Sequence, residues 1–246
     1  MSVTTHPPKK EAWSFATLAV ATFGTFACHA ETAPAGPAGS QSEIPPPATA
    51  SPAVAAGTTP DQGYRCTLVL GLAVTSEWYR AGFESLVEDD RWEAITKPHT
   101  FVEHWADPEN AVWRELPQSP CAERWKDPDR VLFFAANFKF TAQAEWDKAL
   151  GDVVVVLRQK YPGARRIELL SMVRAPQNNS CGSEKGVVNP IIDVSISATS
   201  ARYPELVVAG PRFEARSCDD LEKGGPHFTK AGGAAVAKLI ADHYSR

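Results

Sequence analysis

The chain has 246 residues, a net charge of −4 and a hydrophobic fraction of 43%, values typical of a globular protein. No stretch of basic residues is interleaved with aromatic residues, which argues against nucleic acid as a partner. A chain of this length can bury a substantial core without help from a metal or a disulfide framework.

The first 30 residues have the pattern of an export signal. Lys9 and Lys10 precede an uncharged run, residues 12–28, that is rich in alanine, phenylalanine, threonine and valine. The run is marginal for spanning a bilayer, which takes about 20 mostly apolar residues. Two outcomes stay open: a lipoprotein signal with a lipid anchor at Cys28, or cleavage after Ala30 and free secretion. We expect an exported protein, at the outer surface of the cell envelope or in the periplasm.

Residues 31–62 differ in composition from the rest of the chain. They are rich in alanine, proline, serine, threonine and glycine and contain almost no large apolar side chain. Such a segment cannot bury enough apolar surface to offset its ordering entropy, so we predict a disordered linker. Residues 63–246 are then one domain of ordinary size, which we expect to be monomeric.

Four cysteines fall in the predicted domain, with no Cys-x-x-Cys pair among them. In an exported protein the default is two disulfides. Cys66 and Cys121 precede neighbouring strands at the amino end of the predicted sheet, and Cys181 and Cys218 lie on loops at the opposite end. We therefore expect the bridges Cys66–Cys121 and Cys181–Cys218, with free buried thiols as the alternative.

The histidines do not predict a metal site. His99 and His104 lie five positions apart with Glu103 between them, a spacing that does not put both imidazoles on one helical face. We expect neither a metal nor a cofactor.

Apolar runs alternate with helical patterns along the domain. The runs predict strands at residues 67–70, 91–96, 130–135, 167–173 and 206–209, and the patterns predict helices at 77–87, 107–116, 141–161, 187–201 and 231–243. Such alternation implies right-handed crossovers and a mostly parallel, five-stranded sheet. The predicted fold class is a flavodoxin-like three-layer α/β/α sandwich, in which ligands bind beyond the carboxyl ends of the strands.

His227 lies on a loop at the start of the last predicted helix, which Thr229 can cap. An imidazole in such a place can take a proton from a nucleophile at neutral pH. The alternative is a histidine that merely caps the helix. The stretch resembles the last conserved block of the SGNH (GDSL-like) hydrolases, in which a loop with Asp-x-x-His precedes a final helix. In element order, the resemblance covers most of residues 64–246.

The resemblance implies a serine nucleophile after the first strand, and here this chain departs from the family. The family's Gly-Asp-Ser-x-Thr is matched by Gly71-Leu72-Ala73-Val74-Thr75, so an alanine stands in the place of the serine. Ser76, three positions later, is the nearest hydroxyl and the candidate nucleophile at the mouth of the next helix. The competing interpretation of Ser76 is an ordinary helix N-cap.

The orienting acid of the family is also replaced, because Gly224 occupies its position three residues before His227. Asp220 and Glu222 are the candidates to take over its role, with Asp219 also near in sequence.

The other implied site residues follow the strands. Ala135-Ala136-Asn137 matches the family's strand ending in Gly-x-Asn, so Asn137 is a candidate oxyanion donor, beside Gly71. Arg174 directly follows the fourth strand and can pair with a carboxylate or a phosphate. The polar loop after it, residues 178–180, can hydrogen bond sugar hydroxyls.

Two functions follow from the resemblance and its departures. The first is an exported hydrolase of ester bonds, acting on O-acyl groups of glycans or on small acyl esters. The second is a catalytically silent domain of the same fold that binds a glycan or another ligand of the envelope. Ala73 and Gly224 favour the second, and the His227 loop favours the first.

Overall fold

A computed structural model describes residues 63–87, 91–114, 127–178, 181–182 and 189–245. The predicted signal peptide (1–30) and linker (31–62) lie outside the described residues. The strands are β1 (Thr67–Leu72), β2 (Trp92–Lys97), β3 (Arg130–Ala135), β4 (Arg166–Ser171) and β5 (Val207–Ala209). The helices are α1 (Ala73–Arg80), α2 (Val102–Trp105), α3 (Ala111–Arg114), α4 (Gln143–Lys160), α5 (Ile191–Arg202) and α6 (Lys230–Tyr244), and short 3₁₀ turns cover Phe83–Ser85, Pro176–Asn178 and Cys218–Asp220.

The five strands form one sheet in the order β2-β1-β3-β4-β5, and all neighbours are parallel. Every residue of β1 and β3 is buried, as expected for central strands covered on both faces. This is the strand order of flavodoxin-like folds, so the predicted fold class is confirmed.

Helices cover both faces of the sheet. The chain steps from β1 to β2 in one direction and from β3 through β4 to β5 in the other, so right-handed crossovers put α1 and α4–α5 on opposite faces. α6 packs against α1, while α4 contacts both α2 and α5. The order reverses between β1 and β3, so the loops after these strands flank the crevice where ligands of such sheets bind.

The first helix begins earlier than predicted. β1 runs to Leu72 and α1 starts at Ala73, whereas the sequence suggested a helix from Glu77. Leu72 is the N-cap residue without a capping side chain, so the usual signal for a helix start is missing. Gly71 permits α1 to start close against the end of β1, because a Cβ at position 71 would lie 2.5 Å from Thr75 Oγ1.

The prediction of one continuous helix over residues 107–116 was also wrong for the residues that the structure describes. The chain forms two short helices, α2 and α3, separated by a turn in which the Glu109 amide donates to Asp107 Oδ1 at 3.0 Å. An aspartate that bonds the backbone two residues on favours a turn over a helix. Residues 115 and 116 lie outside the described residues.

The amino end of the sheet is tied together by Asp129. Its carboxylate accepts the backbone N–H groups of Arg65 and Cys66 at 3.0–3.1 Å and the guanidinium of Arg165 at 2.9 Å. Burial would raise the pKa of Asp129, but these hydrogen bonds outweigh it and the pKa is lowered. Arg65 and Cys66 precede β1, Asp129 precedes β3 and Arg165 precedes β4, so one carboxylate fixes the relative positions of three strands.

One predicted disulfide lies within the described residues and is confirmed. Cys181 and Cys218 are bonded and join the loop after β4 to the 3₁₀ turn before α6. Cys66 is also disulfide-bonded. Its predicted partner, Cys121, lies outside the described residues. In the part of the chain that the structure describes, no helix has the length and apolar character needed to cross a bilayer.

Glu93 on the edge strand β2 gives the fold a predictable pH dependence. Burial raises the pKa of this half-buried carboxyl from 4.5 to about 7. The folded state therefore keeps a proton that the unfolded chain has lost between these two values, and stability falls as pH rises through that window. We expect Glu93→Gln to gain stability over the wild type between pH 5 and pH 8, measured by urea denaturation. The exposed Glu84→Gln variant is the control, and a Glu93→Gln difference that does not change with pH would contradict the assignment.

Candidate active site

His227 sits on a short hairpin-like loop between the Cys218–Asp220 turn and α6. Leu221 and Phe228 form an antiparallel bridge, and the Glu222 amide donates to the His227 carbonyl at 2.7 Å. Gly224 turns the chain with a φ of +81°, a conformation that glycine adopts without strain. The loop thus presents the His227 ring at the edge of the domain, with 52% of its side chain exposed.

The partner of His227 is Glu77 on α1. Nδ1 of the ring lies 2.6 Å from Glu77 Oε1, and the Phe228 amide donates to Glu77 Oε2 at 2.9 Å. Both carboxylate oxygens are thus used to hold the loop and its ring. A carboxylate only accepts hydrogen bonds, so the contact requires the proton on Nδ1 and leaves Nε2 as an acceptor. A base held in this way by an acid is the arrangement that hydrolases use to take a proton from a nucleophile.

The residues predicted to orient His227 are engaged elsewhere. The Asp220 carboxylate accepts from the side chain and amide of Arg216 and from the Ser217 amide. Glu222 contributes to the loop through its backbone: its amide donates to the His227 carbonyl, and its carbonyl accepts the Gly225 amide. The carboxylate that contacts the ring comes from α1, 150 positions away in sequence, and not from the preceding loop.

Asp220 instead holds in place the loop that carries His227. Burial would raise the pKa of its carboxyl, but the hydrogen bonds from Arg216 and Ser217 outweigh that and lower it. Its carbonyl accepts the Thr229 amide at 2.9 Å, and Thr229 in turn caps α6 by accepting from the Gly232 amide at 3.0 Å. Gly232 is needed here, because a Cβ would lie 1.9 Å from the Asp220 carbonyl oxygen.

Ser76 lies in the first turn of α1 and is not bonded to His227. Its hydroxyl donates to the Ala73 carbonyl at 2.6 Å, a bond within the helix. The N-cap of α1 is therefore Leu72 and not Ser76, and the Ser76 hydroxyl is not hydrogen bonded to the ring. Ala73 is the first residue of α1 and is half-buried. Ala73 and Glu77 are four positions apart, so they lie on the same face of the helix.

Asn137 follows β3 at the same edge of the sheet and is held in place by three bonds. Its Oδ1 accepts the amides of Lys139 and Phe140, and its Nδ2 donates to Glu103 Oε2 at 2.5 Å. An amide nitrogen carries two hydrogens, so one remains for a ligand. Asn137 stays a candidate oxyanion donor.

Gly71 and Arg174 have internal contacts. Gly71 is buried inside β1, where its missing side chain lets Thr75 pack closely. Arg174 is buried just beyond β4 and pairs with Asp193 of α5, which Arg212 also contacts at 3.3 Å. The predicted pairing of Arg174 with a carboxylate is therefore met by the protein itself. Asn178 is described in a 3₁₀ turn, and residues 179 and 180 lie outside the described residues.

No group of three or more histidine, cysteine or acidic side chains is arranged to hold a metal ion in the described part of the chain.

Glu77 is the residue of this site that the sequence analysis missed. Its signal was its place four residues after Ala73, the position of the family's serine, on one helical face. The assumed helix start at Glu77 concealed that relation.

Solved structures similar to this chain include a protein assigned as an acylhydrolase, TesA and the periplasmic domain of an acetyltransferase. A Bacteroides fragilis protein assigned as an acylhydrolase has a TM-score of 0.46 at 11% identity over 76% of this chain and 91% of its own. TesA has a TM-score of 0.46 at 14% identity, covering 72% of this chain and 97% of its own. The periplasmic domain of a lipopolysaccharide acetyltransferase from Salmonella Paratyphi A has a TM-score of 0.40 at 12% identity, covering 73% and 83%.

No protein-family model matches the chain, and no curated protein matches it.

Loss of the Asp220 carboxylate should loosen the loop that carries His227. We expect Asp220→Asn to lower the free energy of unfolding by about 1 kcal/mol at pH 7, because the part-buried N–H groups of Arg216 and Ser217 lose a charged acceptor. Its lowered pKa means that this stabilisation is present above the ordinary value of 3.8 and fades as pH falls below it. Urea denaturation at pH 7 and pH 3 measures both effects. Asp219→Asn, at the exposed neighbour, is the matched control, and equal stability of the two variants would contradict the anchoring role.

Proposed function

We propose that this protein hydrolyses acyl esters, with His227 as the general base and Glu77 as the acid that orients it. The observation that carries the proposal is the 2.6 Å contact between His227 Nδ1 and Glu77 Oε1. The second oxygen of Glu77 is held by the Phe228 amide, so the acid cannot turn away without losing a hydrogen bond.

The half-exposed ring suits the proposed role. With Nδ1–H bonded to Glu77, the lone pair of Nε2 is free to accept a proton from a nucleophile. The nearby carboxylate then stabilises the imidazolium that forms, as the acid of a catalytic triad does. Since 52% of the His227 side chain is exposed, an ester attached to a larger molecule can approach it.

Water is the nucleophile in this proposal. Ala73 has no hydroxyl, and the Ser76 hydroxyl is bonded to the Ala73 carbonyl. His227 takes a proton from a water molecule as the water oxygen bonds to the acyl carbon. The tetrahedral intermediate then collapses, the bond from acyl carbon to alcohol oxygen breaks, and His227 returns its proton to that oxygen. The products are a carboxylic acid and an alcohol, and no group stays on the protein.

Two donors can stabilise the charge on the carbonyl oxygen. The first donor is the Ala73 N–H at the start of α1, which has no acceptor within the helix. The helix dipole also favours negative charge at this end. The free amide hydrogen of Asn137 is the second donor. Removal of one such donor costs about 10²–10³ in rate in comparable hydrolases.

The substrates in this proposal are small acyl esters or O-acyl groups on glycans of the cell envelope. The export signal pattern at residues 1–30 and the Cys181–Cys218 disulfide support an oxidising location outside the cytoplasm. The protein acts there as a monomer, either secreted or held to the membrane by a lipid at Cys28.

A second function, binding without catalysis, is favoured by one observation. Alanine occupies the place of the nucleophilic serine in the resemblance, and the nearest serine hydroxyl is bonded inside its own helix. In that case the Glu77–His227 pair would serve only to fix the loop that borders a ligand.

Substitutions at the two partners test the proposal. We expect His227→Ala and Glu77→Gln to lower kcat for an aryl acetate by about 10² or more, the usual contribution of a positioned base. Ser76→Ala should keep wild-type turnover, because its hydroxyl takes no part. Steady-state kinetics and circular dichroism measure activity and folding on the same samples.

Glu222→Gln is the matched control for Glu77→Gln, since it makes the same chemical change on the loop without touching the ring. Loss of activity in Ser76→Ala would make Ser76 the nucleophile and refute the water mechanism. A wild type with no turnover above background would refute the hydrolase proposal and support the second function, binding without catalysis.

A further inference from the structure

A small cavity lies beside His227. Its walls come from the first turns of α1, the end of β3, the segment after β4 and the two neighbours of His227, and include Val74, Trp78, Phe134, Met172, Pro226 and Phe228. The volume open to the centre of a water-sized sphere is about 10 Å³. That is about the room of one water-sized group.

Apart from Thr75, the side chains that line the cavity are apolar, and they are tightly packed. Val74, Trp78, Phe134 and Phe228 are each less than 8% exposed and belong to the core of the domain. Trp78 packs against both Phe83 and Phe134, with ring centroids 5.2–5.4 Å apart. Side chains packed in this way do not move aside without cost, so the size of the cavity limits what enters it.

The position of the cavity matches the acyl side of an ester at the proposed site. Val74 directly follows Ala73, whose N–H is the proposed oxyanion donor, and Pro226 and Phe228 flank the proposed base. Pro226 is half-buried, so the cavity borders the surface at the His227 loop. An ester carbonyl held between Ala73 and His227 therefore has this mostly apolar cavity beside it, where its alkyl group can lie.

We propose that this cavity is the acyl pocket and that it selects acetyl esters. The inference rests on the proposed function and adds the identity of the acyl group. A methyl group fills a cavity of this size. A butyryl group adds two methylenes, and each methylene that a pocket rejects is worth about 10–200-fold in kcat/KM.

The test compares aryl acetate and aryl butyrate with the same leaving group, so that their ratio reports the acyl side alone. We expect the wild type to prefer acetate by about 10² or more in kcat/KM. Val74→Ala and Met172→Ala enlarge the cavity. Each should lower the ratio of kcat/KM for acetate to kcat/KM for butyrate by about tenfold or more, mainly by raising kcat/KM for butyrate. Val156→Ala makes the same deletion as Val74→Ala in the buried face of α4, away from the cavity, and should keep the wild-type ratio.

The outcomes separate the two proposals. A wild type that cleaves butyrate as fast as acetate overturns the acyl pocket and leaves the hydrolase. Enlarged variants with the wild-type ratio, shown to be folded by circular dichroism, also overturn the pocket. A wild type that cleaves neither ester overturns the proposed function, and the acyl pocket with it.

Discussion

The pairing of Glu77 with the His227 loop is the interaction on which the rest of the site depends. One carboxylate contacts the imidazole with one oxygen and the Phe228 amide with the other. It thereby joins the first helix of the domain to the loop before the last one, across 150 positions of sequence. The contact is possible because α1 and α6 pack side by side on one face of the sheet. The packing of α1 against α6 brings Glu77 close to the loop, and the Glu77 carboxylate orients the His227 ring.

The two ends of the sheet have different tasks. At the amino end, Asp129 uses its oxygens on the chain before β1 and on Arg165, and this binding energy stabilises the strand arrangement. At the carboxyl end, Glu77 and Asn137 also hold neighbouring groups, but a ring nitrogen and an amide hydrogen are left for a ligand. This division is the one expected of open parallel sheets, which bind ligands beyond the carboxyl ends of their strands.

The sequence predicts the fold well because strands buried on both faces are continuous apolar runs. β3 has the predicted bounds, Arg130–Ala135, and α6 begins and ends within one residue of its predicted range. The start of α1 was wrong because Ser76 has the look of an N-cap, whereas the real N-cap residue, Leu72, has no capping group. Local signals of this kind compete with packing. Here the close approach of Thr75 to Gly71 favours a helix that starts at Ala73.

The site was predicted only in part, for a related reason. His227 has local signals, since glycines and proline before it and a capping threonine after it define a loop at a helix start. No local signal connects Glu77 with His227, because no spacing rule connects residues on different elements. Asp220 was a reasonable candidate by distance in sequence, but it is needed by Arg216 and Ser217. The acid that contacts His227 instead comes from α1, on a different element of the fold.

In the proposed mechanism His227, held by Glu77, activates water, and no covalent intermediate forms. Mass spectrometry of the intact protein, quenched during turnover of an aryl acetate, distinguishes this mechanism from one with an acylated protein. With water as the nucleophile, we expect turnover while the protein keeps its unmodified mass at all times. An acetyl group on the protein that forms and decays with turnover, mapped to the peptide with Ser76, would contradict it.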